Sequence, residues 1–201
     1  MFYVMFRFLF WILLLVIFLL LIKKLHINHK FRWTAITFMI TLVLTTIVYL
    51  FPIENAFMTF SSPQSAYRYN HFGYVNLVIN GKQTDFVVAS NGDTDLYSIV
   101  PKTKEGWKIG MGSDTRIISQ TITDGIVIYV YQYKNSDDYY IIISNTNEGP
   151  LKISDSCDSK FISSNKTSSA VNKDYYTYYA YINNFNAMYE VIINDKVVEI
   201  S

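Results

Sequence analysis

From Phe2 to Ile22 only Tyr3 and Arg7 interrupt an apolar run, and a second uncharged run extends from Trp33 to Phe51 before Pro52. At 1.5 Å per helical residue each run reaches about 30 Å, the depth of a bilayer's hydrocarbon core. The pattern therefore predicts two transmembrane helices, at about 2–22 and 33–51, with Pro52 ending the second because its ring removes a backbone donor. A cleaved signal peptide fits the first run poorly: Lys23, Lys24 and Leu25 follow it where a small-residue cleavage site would stand.

After Pro52 the period changes. Residues 53–72 form a juxtamembrane segment with a short helix, because Ser61-Ser62-Pro63 supplies an N-cap and a first-turn proline, and Gly73 marks the stop. From Tyr74 the apolar positions alternate, with β-branched and aromatic residues bounded by turn dipeptides. Asn80-Gly81 and Asp124-Gly125 predict tight hairpins, Asn194-Asp195 predicts a closing turn, and 145–174 reads as the least ordered stretch. Residues 73–201 are thus expected to be an all-β antiparallel sandwich or open barrel. Within it Ile126, Ile128 and Val130 share one face of a strand while Val127, Tyr129, Tyr131 and Tyr133 share the other.

Charge orients this plan. Lys23, Lys24, Lys30 and Arg32 fill the connection between the two runs, and the positive-inside rule places that connection in the cytoplasm. The expected arrangement is a helical hairpin in a bacterial cell membrane, multi-pass, with residues 1–52 holding both spans, and the N-terminus and the C-terminal domain outside. The chain has a formal net charge of +1, yet beyond Pro52 it carries 12 basic against 16 acidic side chains. Such a domain lacks the Lys/Arg excess that phosphate neutralisation needs, which excludes nucleic acid as a partner. The single cysteine, Cys157, excludes an intrachain disulfide.

No catalytic constellation, metal site or cofactor motif emerges. His26 and His29 have helical ligand spacing but no third ligand, so they extend a basic belt facing anionic lipid. His71 is the one histidine after Pro52 and pairs with no recognisable nucleophile. Asp93 and Asp95 flank Thr94 in a loop without the closing glutamate of a calcium site, and Asp137, Asp138, Asp155 and Asp158 are weaker still. The chain's 17 tyrosines group at 129, 131, 133, 139 and 140 and at 175, 176, 178, 179 and 181. Strand propensity accounts for them, and an exposed ladder of them would also stack on sugar rings or peptide. Thr34, Thr37, Thr41 and Thr45 form a small polar stripe on the second helix, a packing face for the first helix or for a membrane-protein partner. Arg7 is placed to reach the surface or to pair with a partner.

The segments Asn55-Ala-Phe-Met-Thr-Phe-Ser-Ser-Pro-Gln-Ser-Ala-Tyr67 and Val100-Pro-Lys-Thr-Lys-Glu-Gly-Trp-Lys-Ile109 resemble uncharacterised two-span membrane-anchored proteins of low-GC Gram-positive bacteria, a resemblance that implies no activity. The expected function is a non-enzymatic binding, sensing or accessory protein of the cell envelope, with the lipid bilayer and an unidentified envelope ligand as partners. The alternatives are a small envelope enzyme with an unrecognised site and an immunity-type membrane protein.

Overall fold

The computed structural model describes residues 2–24, 30–92, 94–111, 114–134, 136–147, 149–168, 173–183, 185–186 and 188–200. Two long helices, α1 (Phe2–Lys24) and α2 (Lys30–Leu50), come first. They pack on one another. The less exposed positions on α1 are Arg7, Trp11, Leu14, Leu15, Phe18 and Ile22, and on α2 they are Thr37, Thr41 and Thr45. Apart from the adjacent pair Leu14 and Leu15, both sets recur every three or four residues, as one helical face requires. Thr37, Thr41 and Thr45 of the threonine stripe therefore lie on the covered face, whereas Thr34 is exposed, and two of the hydroxyls bond back into their own helix, Thr41 to the Thr37 carbonyl at 2.8 Å and Thr45 to the Thr41 carbonyl at 2.7 Å.

One expectation is overturned here. Among the described residues no helix is long and apolar enough to cross a membrane. In α1 the charges of Arg7, Lys23 and Lys24 bracket the run Phe8–Ile22, which at 1.5 Å per residue reaches only about 22 Å of a roughly 30 Å core. In α2, Lys30 and Arg32 occupy the first turn, and Thr34, Thr37, Thr41, Thr45 and Thr46 interrupt the rest of the helix. The two-span transmembrane hairpin and the multi-pass placement in the cell membrane drawn from it do not stand.

A 3-10 turn, Ile53–Ala56, and a helix, α3 (Pro63–Asn70), lead into the β-rich part. Helix α3 opens on Ser62, whose hydroxyl accepts the Ser65 N–H at 3.1 Å, and Gly73 then takes φ +122°, where a Cβ would press on the Ser90 carbonyl. Among the described residues twelve strands follow: β1 (Tyr74–Asn80), β2 (Thr84–Asn91), β3 (Thr94–Thr103), β4 (Gly106–Trp107), β5 (Thr115–Thr123), β6 (Ile126–Tyr133), β7 (Tyr139–Asn145), β8 (Ile153–Asp155), β9 (Ile162–Ser168), β10 (Lys173–Ile182), β11 (Glu190–Ile193) and β12 (Lys196–Glu199). All their pairings are antiparallel. The all-β antiparallel expectation for this region holds. Asp124 and Gly125, and likewise Asn194 and Asp195, all have positive φ, as tight hairpin turns require.

Among the described residues the strands form three sheets, in the orders β1-β2-β3-β4, β5-β6-β7-β10-β9 and β12-β11-β8. The five-stranded sheet lies in the middle, and alternation sends successive side chains to two different cores. Ile126, Ile128, Val130, Ile141, Ile143, Ala180 and Ile182 meet Tyr189, Val191, Ile193 and Ile200 on the side of the three-stranded sheet. Tyr133, Tyr140, Ile142 and Tyr179 meet Ile79, Phe86, Val88 and Ile99 on the side of the four-stranded sheet. That sheet is covered in turn by α3, whose Ala66 and Tyr67 pack on Val87, Ala89 and Val100. Strand β2 is consequently buried from Thr84 to Ala89. The stretch 145–174, expected to be least ordered apart from short strands at 151–153 and 161–162, contributes β8 and the longer β9 among its described residues, each held by a partner from later in the chain.

Candidate functional site

Among the described residues four carboxylates are buried, those of Glu54, Asp85, Asp138 and Asp155, and a carboxylate out of water either holds the fold or does chemistry. Asp138 accepts three successive backbone N–H groups, from Lys82 at 3.0 Å, Gln83 at 2.6 Å and Thr84 at 2.6 Å, together with the hydroxyls of Thr84 at 3.0 Å and Tyr181 at 2.9 Å. Burial, and then the bond to Asp138, pushes the Tyr181 phenol up to about 12. Tyr140 donates to the Thr84 carbonyl at 2.8 Å, and a Cβ on Gly81 would collide with that phenol and with Asp138. Asp85 pairs with Lys102 at 2.7 Å and accepts the Trp107 indole N–H at 2.6 Å. Asp155 accepts the Tyr189 hydroxyl at 2.7 Å and the backbone N–H groups of Cys157 at 3.2 Å and Ser159 at 2.7 Å. Glu54 pairs with Arg7 at 3.0 Å. Each of the four joins segments far apart in sequence or closes a turn.

The other residues singled out from the sequence are scattered. His26, His29 and Asp93 lie outside the described residues. Half-buried His71 caps α3, its N–H donating to the Tyr67 carbonyl at 2.8 Å. Its ring stacks on Tyr67 at 4.8 Å, and burial lowers its pKa. Asp95 is half-buried near the tip of β3, Asp137 and Asp158 are exposed, and Cys157 packs against the core beside the three-stranded sheet. Among the described residues no group of three or more His, Cys, Asp or Glu is placed to hold a metal.

The tyrosines divide. Tyr140 and Tyr179 are fully buried, and Tyr133 and Tyr178 nearly so, which removes them from any exposed ladder. Tyr129 and Tyr131 are different. They share a face of β6 with Val127 and Tyr133; Tyr133 is 8% exposed, and Val127, Tyr129 and Tyr131 are half-buried. On the neighbouring edge strand β5, Ile117 sits opposite Tyr131, Gln120 opposite Tyr129 and Ile122 opposite Val127, so these side chains extend the same surface. Ile117 is 53% exposed and Ile122 67% exposed. Tyr97 of β3 forms the wall, its ring 6.4 Å from that of Tyr131 and stacked on Phe86 at 5.8 Å. Burial is the main cause that pushes the Tyr97 phenol up to about 12, and it raises that of Tyr131 as well.

The result is a shelf with an apolar floor of Ile117, Ile122, Val127, Tyr129 and Tyr131 under a tyrosine wall. Comparison with family models, with curated proteins and with solved structures returns no match. The chemistry of the shelf must therefore be taken from its own geometry. Its rings are not coplanar: Tyr129 and Tyr131 are 6.1 Å apart and tilted by 48°. A sugar ring stacks on a flat exposed face, whereas tilted, half-buried rings beside two exposed isoleucines suit apolar side chains of irregular shape. A bulge between Ile117 and Ser119 breaks the register of β5, which hinders an added strand from continuing the ladder. Contact would thus run through side chains. Tyr129 and Tyr131 are visible in the sequence as members of a cluster; Tyr97, Ile117 and Ile122 carry no signal that would join them to it.

Proposed function

We propose that the chain is a non-catalytic protein-binding module whose recognition surface is the β5–β6 shelf. The observation that carries this is the pair Ile117 and Ile122, exposed on an edge strand next to half-buried tyrosines. Exposed apolar side chains gathered on one surface mark interaction sites more often than isolated ones do, and tyrosine is favoured at such sites because its ring is both apolar and able to hydrogen-bond. The non-catalytic part is supported by the buried carboxylates, each occupied by groups that hold the fold. The ligand in view is a folded or extended polypeptide presenting apolar side chains.

A displayed library of polypeptides selected against the full chain tests this. Binders are expected to be lost on Ile122→Asp and on Tyr129→Ala, and kept on Lys160→Glu, a change at an exposed position away from the shelf. Selected binders indifferent to both shelf substitutions would sink the proposal, and selection of oligosaccharides in preference to polypeptides would redirect it.

A further inference from the structure

We propose that the buried Arg7–Glu54 pair is a latch that sets the direction in which the α1–α2 helical pair leaves the β-rich part of the chain. Helix α2 ends at Leu50, and Phe51 and Pro52 alone separate it from the 3-10 turn Ile53–Ala56. So short a link makes the turn the natural pivot. The turn itself belongs to the β-rich part. Asn55 grips the Ile109 backbone from both sides, its amide donating to the carbonyl at 2.9 Å and its oxygen accepting the N–H at 2.8 Å. Lys108 donates to the carbonyls of Asn55 at 2.6 Å and Met58 at 2.9 Å. Phe60 and Trp107 exchange backbone bonds of 2.8 and 3.0 Å.

Glu54, on the same turn, faces the helices. It accepts Arg7 Nη2 at 3.0 Å and Nε at 3.4 Å, while Nη2 also donates to the Phe51 carbonyl at 3.0 Å. Helix α3 packs against α1 as well. The Arg7 side chain is 9% exposed and that of Glu54 1%. A guanidinium presenting two donors to a carboxylate fixes orientation as well as distance. Buried ion pairs of this kind add little net stability against an apolar substitute, and their best-attested use is to select one arrangement over others. Here the Arg7 guanidinium ties α1 both to the Glu54 carboxylate on the pivot turn and to the Phe51 carbonyl just past the end of α2.

The test is a pulsed electron-spin distance between labels at Leu13→Cys on α1 and Lys160→Cys, in a Cys157→Ser background, on the purified full chain held in mild detergent. The parent should give one narrow distance distribution. Arg7→Gln and Glu54→Gln should each lose it to a broad one, and the exchange Arg7→Glu with Glu54→Arg should restore a narrow peak. If Arg7→Gln does not fold, Arg7→Lys replaces it; that change keeps the charge, loses the fork, and should still broaden the distribution. Narrow parent-like distributions in the single variants would overturn the latch. A distribution that stays broad in the exchanged pair, with parent-like circular dichroism, would overturn it too, by assigning the effect to packing.

Discussion

Tyr97 and Tyr181 hold their phenols at about 12, and burial raises those of Tyr67, Tyr131, Tyr133, Tyr140, Tyr179 and Tyr189 as well. In the unfolded chain the same groups titrate near 10. A folded pKa above the unfolded one means that the native state binds more protons in the window between them, so stability falls there as pH rises. Stability is therefore expected to be complete below about pH 10 and to be lost as pH rises through about 12. The phenolate absorbance of the buried rings should appear only together with loss of far-ultraviolet circular dichroism. Phenolate formation well before unfolding would show that these rings are open to solvent. The excess of tyrosine is plain in the sequence, but its depth is not. A strand with tyrosine on alternate positions looks the same whether that face meets water or a second sheet.

At the scale of elements, Asp138 ties the β1–β2 turn to the middle sheet. It sits just before β7, takes the N–H groups of Lys82, Gln83 and Thr84, and reaches Tyr181 on β10. Replacing it by Ala leaves those donors without a charged acceptor, at a cost of about 2–4 kcal/mol. Urea unfolding should show that loss in Asp138→Ala and a smaller one in Asp138→Asn, which keeps one acceptor. An unchanged midpoint for Asp138→Ala would mean that the β1–β2 turn is held by its own hydrogen bonds. The turn's place is legible from Asn80-Gly81, although neither residue takes the positive φ that this dipeptide is expected to supply. Its partner is not, because 54 to 56 residues separate donors and acceptor and no local pattern marks such a pair. The same holds for Arg7 and Glu54, separated by 47 residues, although the lone early arginine does stand out as a residue in need of a partner.

For the molecule as a whole, the five-stranded sheet is the element that both cores share. Ile142 faces the four-stranded sheet and Ile143, next in the chain, faces the three-stranded one. Truncating either to Ala should cost about 2–5 kcal/mol and lower one common calorimetric transition, since neither core can lose its sheet without exposing the other. Two resolved transitions, one moved by each substitution, would show instead that the cores unfold separately. Alternation, turn chemistry and capping act within a few residues, and they suffice to specify the strand-rich character, the hairpin turns and the start of α3. The amino-acid pattern also misleads: an apolar composition over 1–52 reads as two spans, whereas Arg7 and the paired lysines shorten the uncharged run of α1 and threonines punctuate α2. Only the packed chain settles that the described strands make three sheets, that Tyr133, Tyr140, Tyr178 and Tyr179 of the grouped tyrosines are core, that Thr37, Thr41 and Thr45 lie on the covered face of α2, and that Tyr97 closes a shelf beside Tyr131. Each of these depends on which element packs against a face, and a periodic pattern specifies a face without naming its partner.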